Sequence, residues 1–220
     1  MGWGEFGLAM GVFLFSHAVP VRPPVRPWAV ARLGPRGFTL AYSALSLAVL
    51  AWLIVAAGRA PVVLLWDWAP WRNHVTLAVM LPVCLILALA IGRPNPFSFG
   101  GAHDDRFDPA RPGVVGLTRH PLLAALALWA GAHLLANGDL AHVLLFGVFA
   151  GFAVAGRGLI DRRKRRALGP DWDRLRGAMA ARRRTLAPDR DTVLRLAAGV
   201  ALYAALILLH PVLFGVSPLP

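Results

Sequence analysis

The side chains best suited to chemistry in this sequence are imidazoles. In RHPLLAALALWAGAHLLANGD, His133 stands thirteen residues beyond His120, about 20 Å along a helix axis at 1.5 Å per residue. An ionisable group that deep in an apolar run is costly in lipid and faces the interior of a helix bundle. Trp129 and Asn137 stand four residues to either side and share its face. Four roles suit it: a hydrogen bond across helices, a metal ligand, a proton relay, or a haem ligand. His17, in FLFSHAVP at the end of the first apolar run, is the second candidate. Its plain alternative is an interfacial, snorkelling histidine. Two imidazoles from different helices are able to sandwich a haem iron, although His120 matches the expected depth of His17 better than His133 does. Arg119, beside His120, sits where a cation would neutralise a haem propionate or a lipid phosphate. His74, His142 and His210 fall near the outer ends of expected helices and read as interfacial. His103 stands with Asp104 and Asp105 in a loop, a weak metal site.

Other chemistry is sparse. The single cysteine, Cys84, excludes an intramolecular disulfide, a Cys-based zinc site and an iron–sulfur cluster. There is no Gly-rich phosphate loop, nucleophile elbow, HExxH helix or pair of carboxylates within an apolar run. Metal or haem chemistry, proton handling, or none remain.

These residues sit on apolar segments. The chain has 220 residues, 57% hydrophobic and only 15% charged, against about 25% charged in soluble domains. The excess falls in runs long enough to cross a hydrocarbon core of about 30 Å. Six spans are expected: about Trp3–Val19, Phe38–Ala57, His74–Ile91, Pro121–Ala136, Leu140–Gly156 and Val193–Phe214. Non-alternating runs of this length are helices, so the fold class is an all-α polytopic membrane bundle. MGWGEF lacks a basic n-region and contains Glu5, and no small-residue cleavage site follows, so the first run reads as a mature helix rather than a signal peptide.

Orientation follows from the basic residues. The first, third and fifth connections and their flanks hold 21 of the 23 Lys and Arg. That side is expected to be cytoplasmic, with both termini periplasmic. The net charge of +12 then reads as affinity for anionic lipids, not for nucleic acid, since no RNA- or DNA-binding motif accompanies it. The basic segment about 157–192 is helix-compatible, with a break near Gly169–Pro170. Pro82 interrupts the third span. VPVRPPVRP reads as extended. In the long connection before Arg119, Phe97, Phe99 and Phe107 are candidate interface anchors.

FLFSHAVPVRPPVRP, LGPRGFTLAYSALSL, PVVLLWDW, TRHPLLAALALWAGAHLLANGD and DRRKRRALG together resemble the NnrU family of bacterial membrane proteins over nearly the whole length. That family is similar in turn to 15-cis-zeta-carotene isomerase, an integral membrane haem b protein. The resemblance implies haem b on His17 and His133, choosing His133 over His120; Arg119, His120 and Trp129 stand as further cofactor-binding candidates from the residues themselves. The isomerase has a cysteine three residues before its second ligand, implicated in ligand switching on reduction; Ala130 stands there here. The family's association with denitrification implies a nitric oxide-linked role, and the isomerase a redox or isomerase-like reaction on a hydrophobic small molecule. The RHP motif and Asp161 before the basic run also resemble isoprenylcysteine-type, adenosylmethionine-dependent membrane methyltransferases, but Asp161 replaces their paired glutamates. A non-catalytic membrane partner is the third class. All share one expected setting: a single integral domain, 1–220, in the bacterial inner membrane.

Overall fold

The computed structural model describes residues 2–180, 186 and 189–220. Arg182, Arg183 and Arg184 of the expected basic segment lie outside them. The described residues form eight α-helices and no strand: α1 Gly2–Ala18, α2 Val25–Arg59, α3 Pro70–Ala90, α4 Val114–Leu117, α5 Pro121–Ala136, α6 Leu140–Leu168, α7 Pro170–Ala180 and α8 Arg190–Phe214.

Four of these, α2, α3, α6 and α8, are long and apolar enough to cross a membrane. α1 and α5 are shorter, at 17 and 16 residues. Little of this apolar surface is covered by protein: 22% of the most apolar stretch of α2, α3 or α6 is buried, and 6% of that of α8. Leu40, Leu208 and Val212 are largely exposed. Such surface held in water would forgo about 25 cal/mol for every Å², so lipid must cover it. The chain is a multi-pass membrane protein.

Helix ends follow local chemistry. Pro70 and Pro121 occupy first turns, where a missing N–H costs nothing. Asp189 caps α8 by accepting from the Thr192 N–H at 2.8 Å. Gly169, at φ 56°, lets the chain turn between α6 and α7 at the expected break. α3 stays one helix through Pro82.

Two expectations need correction. VPVRPPVRP is not extended throughout: the chain turns over residues 19–24 and α2 begins at Val25. Pro27 falls in the first turn, where the helix has no partner for an N–H. α2 then breaks at Gly34, whose φ of 70° and ψ of 167° are not helical, and Pro35 opens the long apolar part. Nor is Phe97 an interface anchor. It is fully buried, edge-on to Phe107 at 5.6 Å and to Trp172 at 5.3 Å.

Contacts divide the chain into two compact units. The first comprises Met1–Asp67 and Gly138–Leu145. Here α1 packs on α2, and Glu5 faces Arg59 at 3.6 Å. Residues 63–65 pair with residues 138–140, through Leu65 N–H to Gly138 O at 2.7 Å and Leu140 N–H to Val63 O at 2.9 Å. The second comprises Trp68–Asn137 and Phe146–Pro220, with α3 packed against both α5 and α8. The Thr76 hydroxyl reaches Ala132 O at 3.0 Å and the Tyr203 hydroxyl reaches Leu77 O at 3.1 Å. At Gly199 the backbones of α8 and α3 approach so closely that a Cβ would lie 3.0 Å from Leu85 Cα. Small residues permit such packing in lipid, where no hydrophobic drive exists between helices.

Candidate functional site

The second unit carries two polar constructions. One is built around Asp161, on the part of α6 that continues beyond its apolar stretch. Arg119 Nη2 donates to Asp161 Oδ2 at 2.9 Å, and His120 Nε2 lies 2.9 Å from Asp161 Oδ1. His120 Nδ1 lies 3.1 Å from Ser98 Oγ. A carboxylate only accepts, so Nε2 carries the proton and Nδ1 accepts from the hydroxyl. Burial holds the imidazole below its ordinary pKa of 6.5, outweighing the pull of Asp161 towards the charged form. Asn95 ties in the preceding loop: its amide donates to Arg119 O at 3.1 Å and its backbone N–H to Asp104 Oδ1 at 2.9 Å. Lys164 faces Asp104 at 3.6 Å. The cluster locks the connection between α3 and α5 onto α6, using both ring nitrogens of His120.

His133 differs. Its Nδ1 donates to Trp129 O at 2.8 Å, one turn back. Because a carbonyl cannot donate, Nε2 is left with its lone pair, and it has no hydrogen-bond partner among the described residues. Trp129 and Phe146 pack against the ring, at 5.2 and 5.3 Å between centroids. His133 also borders a cavity of about 330 Å³ with Thr76, Asn137, Tyr203 and His210. His210 repeats the pattern, with Nδ1 donating to Val216 O at 2.7 Å. In the first unit, His17 does the same: Nδ1 donates to Phe13 O at 2.8 Å, and the ring stacks near Phe13 at 4.1 Å.

The structure thus gathers Arg119 with His120, and Trp129 with His133, while His17 and His133 fall in different units. Asp161 as partner of Arg119 and His120, and Ser98 behind them, were not anticipated as a cluster. The one signal was an acid placed at the head of the basic run DRRKRR. Nothing in the sequence marked His210 or Tyr203 as neighbours of His133, since they lie seventy or more positions along the chain.

Residues 5–218 match the family model described as NnrU protein. The chain belongs to the NnrU family. No curated protein and no solved structure matches it. For an NnrU protein, the donor set bears on which prosthetic groups the residues fit. Among the described residues no three or more His, Cys, Asp or Glu gather to cage a bare metal ion. Haem asks less, since the macrocycle supplies four ligands and the protein one or two imidazoles. His17 and His133 each have Nδ1–H fixed on a carbonyl, the usual support of a metal-bound imidazole, and leave Nε2 without a hydrogen-bond partner among the described residues. Each imidazole, taken by itself, has the donor chemistry of a haem ligand; His120, with both nitrogens engaged, does not offer a free one.

Proposed function

We propose that this NnrU protein crosses the bacterial inner membrane six times, both termini periplasmic, and takes haem b on the Nε2 atoms of His17 and His133. Haem would supply one-electron or gas-binding chemistry there, serving a redox or isomerase-like reaction on a hydrophobic molecule or a nitric oxide-linked role. The observation that carries the reading is the Nδ1–H to carbonyl bond at both residues. It fixes each ring's orientation and raises the basicity of the other nitrogen. Trp129 and Phe146 keep the His133 ring in apolar surroundings. The cavity beside it, about 330 Å³, falls within the about 300–1,000 Å³ of small-molecule sites, so a hydrophobic ligand has room near His133. The methyltransferase reading has less support, because both oxygens of Asp161 are engaged by Arg119 and His120.

The test is haem content and absorption of detergent-purified protein. The parent should show a Soret band, reduced or shifted in His17→Ala and in His133→Ala and retained in His120→Ala. A parent without haem, or a band indifferent to both ligand substitutions, would overturn the reading.

A further inference from the structure

A second cavity lies at the other end of the second unit, independent of the haem reading. There the last turn of α3 meets the first turn of α8. Arg195 Nη1 donates to the carbonyl oxygens of Ala88 and Ile91, each at 3.0 Å, and Arg93 pairs with Asp191. The cavity holds about 580 Å³ and its wall is divided by chemistry. Leu89, Val114 and Val115 make an apolar side, while Arg93, Arg106 and Arg111 bring guanidinium groups. Asp108 and Asp189 border it too, each with one oxygen held by a backbone N–H. Asp189 accepts from the Thr192 N–H at 2.8 Å. Asp108 accepts from the Ala110 N–H at 2.8 Å and faces Arg111 at 3.7 Å. Arg106 has no ion pair among the described residues.

α3 and α8 are both membrane-length apolar helices, so a cavity at their ends lies at the depth of lipid headgroups. A half-apolar, half-guanidinium wall at that depth suits a phosphate attached to a hydrocarbon chain. We propose that this cavity binds one anionic phospholipid, its phosphate on Arg106 and Arg111 and the start of its chain against Leu89 and Val114. The site is distinct from the diffuse attraction of the basic run on α6, where Arg162 and Arg163 are exposed.

Native mass spectrometry of the full chain, released from mixed phosphatidylglycerol and phosphatidylcholine, tests it. The parent should retain phosphatidylglycerol over phosphatidylcholine. Arg106→Gln with Arg111→Gln should lower that retention by about tenfold or more, because each removes a charge-assisted hydrogen bond to the phosphate. Arg111→Gln alone should lower it several-fold; its side chain is 80% exposed, so this variant should fold as the parent does. Arg162→Gln with Arg163→Gln should change little. Equal retention of the two lipids, or equal loss from the control pair, would refute the site. Displacement of the lipid by millimolar inorganic phosphate would also refute it, by assigning the cavity to a soluble anion.

Discussion

Replacing Asp161 with alanine removes the acceptor shared by Arg119 and His120. The His120 side chain is 3% exposed, so its Nε2–H is stranded away from water. Leaving a buried donor unmet costs about 1–3 kcal/mol. Arg119 is 36% exposed, and losing a solvent-screened ion pair adds about 0.5–1 kcal/mol. The sum, about 2–4 kcal/mol, corresponds to a fall in Tm of about 4–15 °C for a chain of this size. Asp161→Asn keeps an oxygen for His120 and should lose about half as much. The protein carries its own reporter: Cys84 is the single cysteine and is fully buried. A thiol-reactive fluorophore therefore labels the chain as it unfolds, and a thermal ramp in detergent reads Tm. An Asp161→Ala protein melting within about 2 °C of the parent would refute the claim that this cluster holds the connection between α3 and α5.

Two further outcomes follow from particular contacts. His120 is depressed below its ordinary pKa of 6.5 by burial. Unfolding thus takes up a proton below that value, and the stability His120 contributes, complete above pH 6.5, is lost as pH falls through its folded pKa. The same labelling melts across pH 5–8 should show this loss in the parent and much less of it in His120→Gln. At Gly138 an added Cβ would run into Trp66 O, a backbone atom that cannot rotate aside. Gly138→Ala should cost about 1–3 kcal/mol by overpacking and lower the yield of folded protein, measured by size-exclusion chromatography; a parent-like yield and Tm would count against the paired turn.

The membrane helices were legible because apolar runs have lengths set by the bilayer. α5 runs Pro121–Ala136, as expected, and α8 ends at Phe214, as expected. The span expected at Leu140–Gly156 stops where charge begins, but the basic run beyond it was read as helix-compatible up to a break near Gly169–Pro170, and so it is. α6 continues to Leu168 through DRRKRR, because arginine and lysine are good helix formers and leaving the membrane does not end a helix. The loop before Arg119 was read as carrying aromatic interface anchors, yet it buries Phe97, Asn95 and Ser98. Its partners, Trp172 and His120, come from segments the one-dimensional pattern does not bring together. The histidines stood out by type and position, but what their ring nitrogens do is visible only in three dimensions. His133 and His120 look alike in sequence; one has its Nδ1 on its own helix and the other is held on both sides.

The central claim is that the imidazoles at 17 and 133 present free Nε2 atoms to iron. Low-temperature electron paramagnetic resonance of the oxidised, purified protein tests it directly. The parent should give the low-spin ferric signal of two imidazole ligands, converting to high spin when either histidine is replaced by alanine. Absence of ferric haem, or a low-spin signal that persists in His133→Ala, would contradict it.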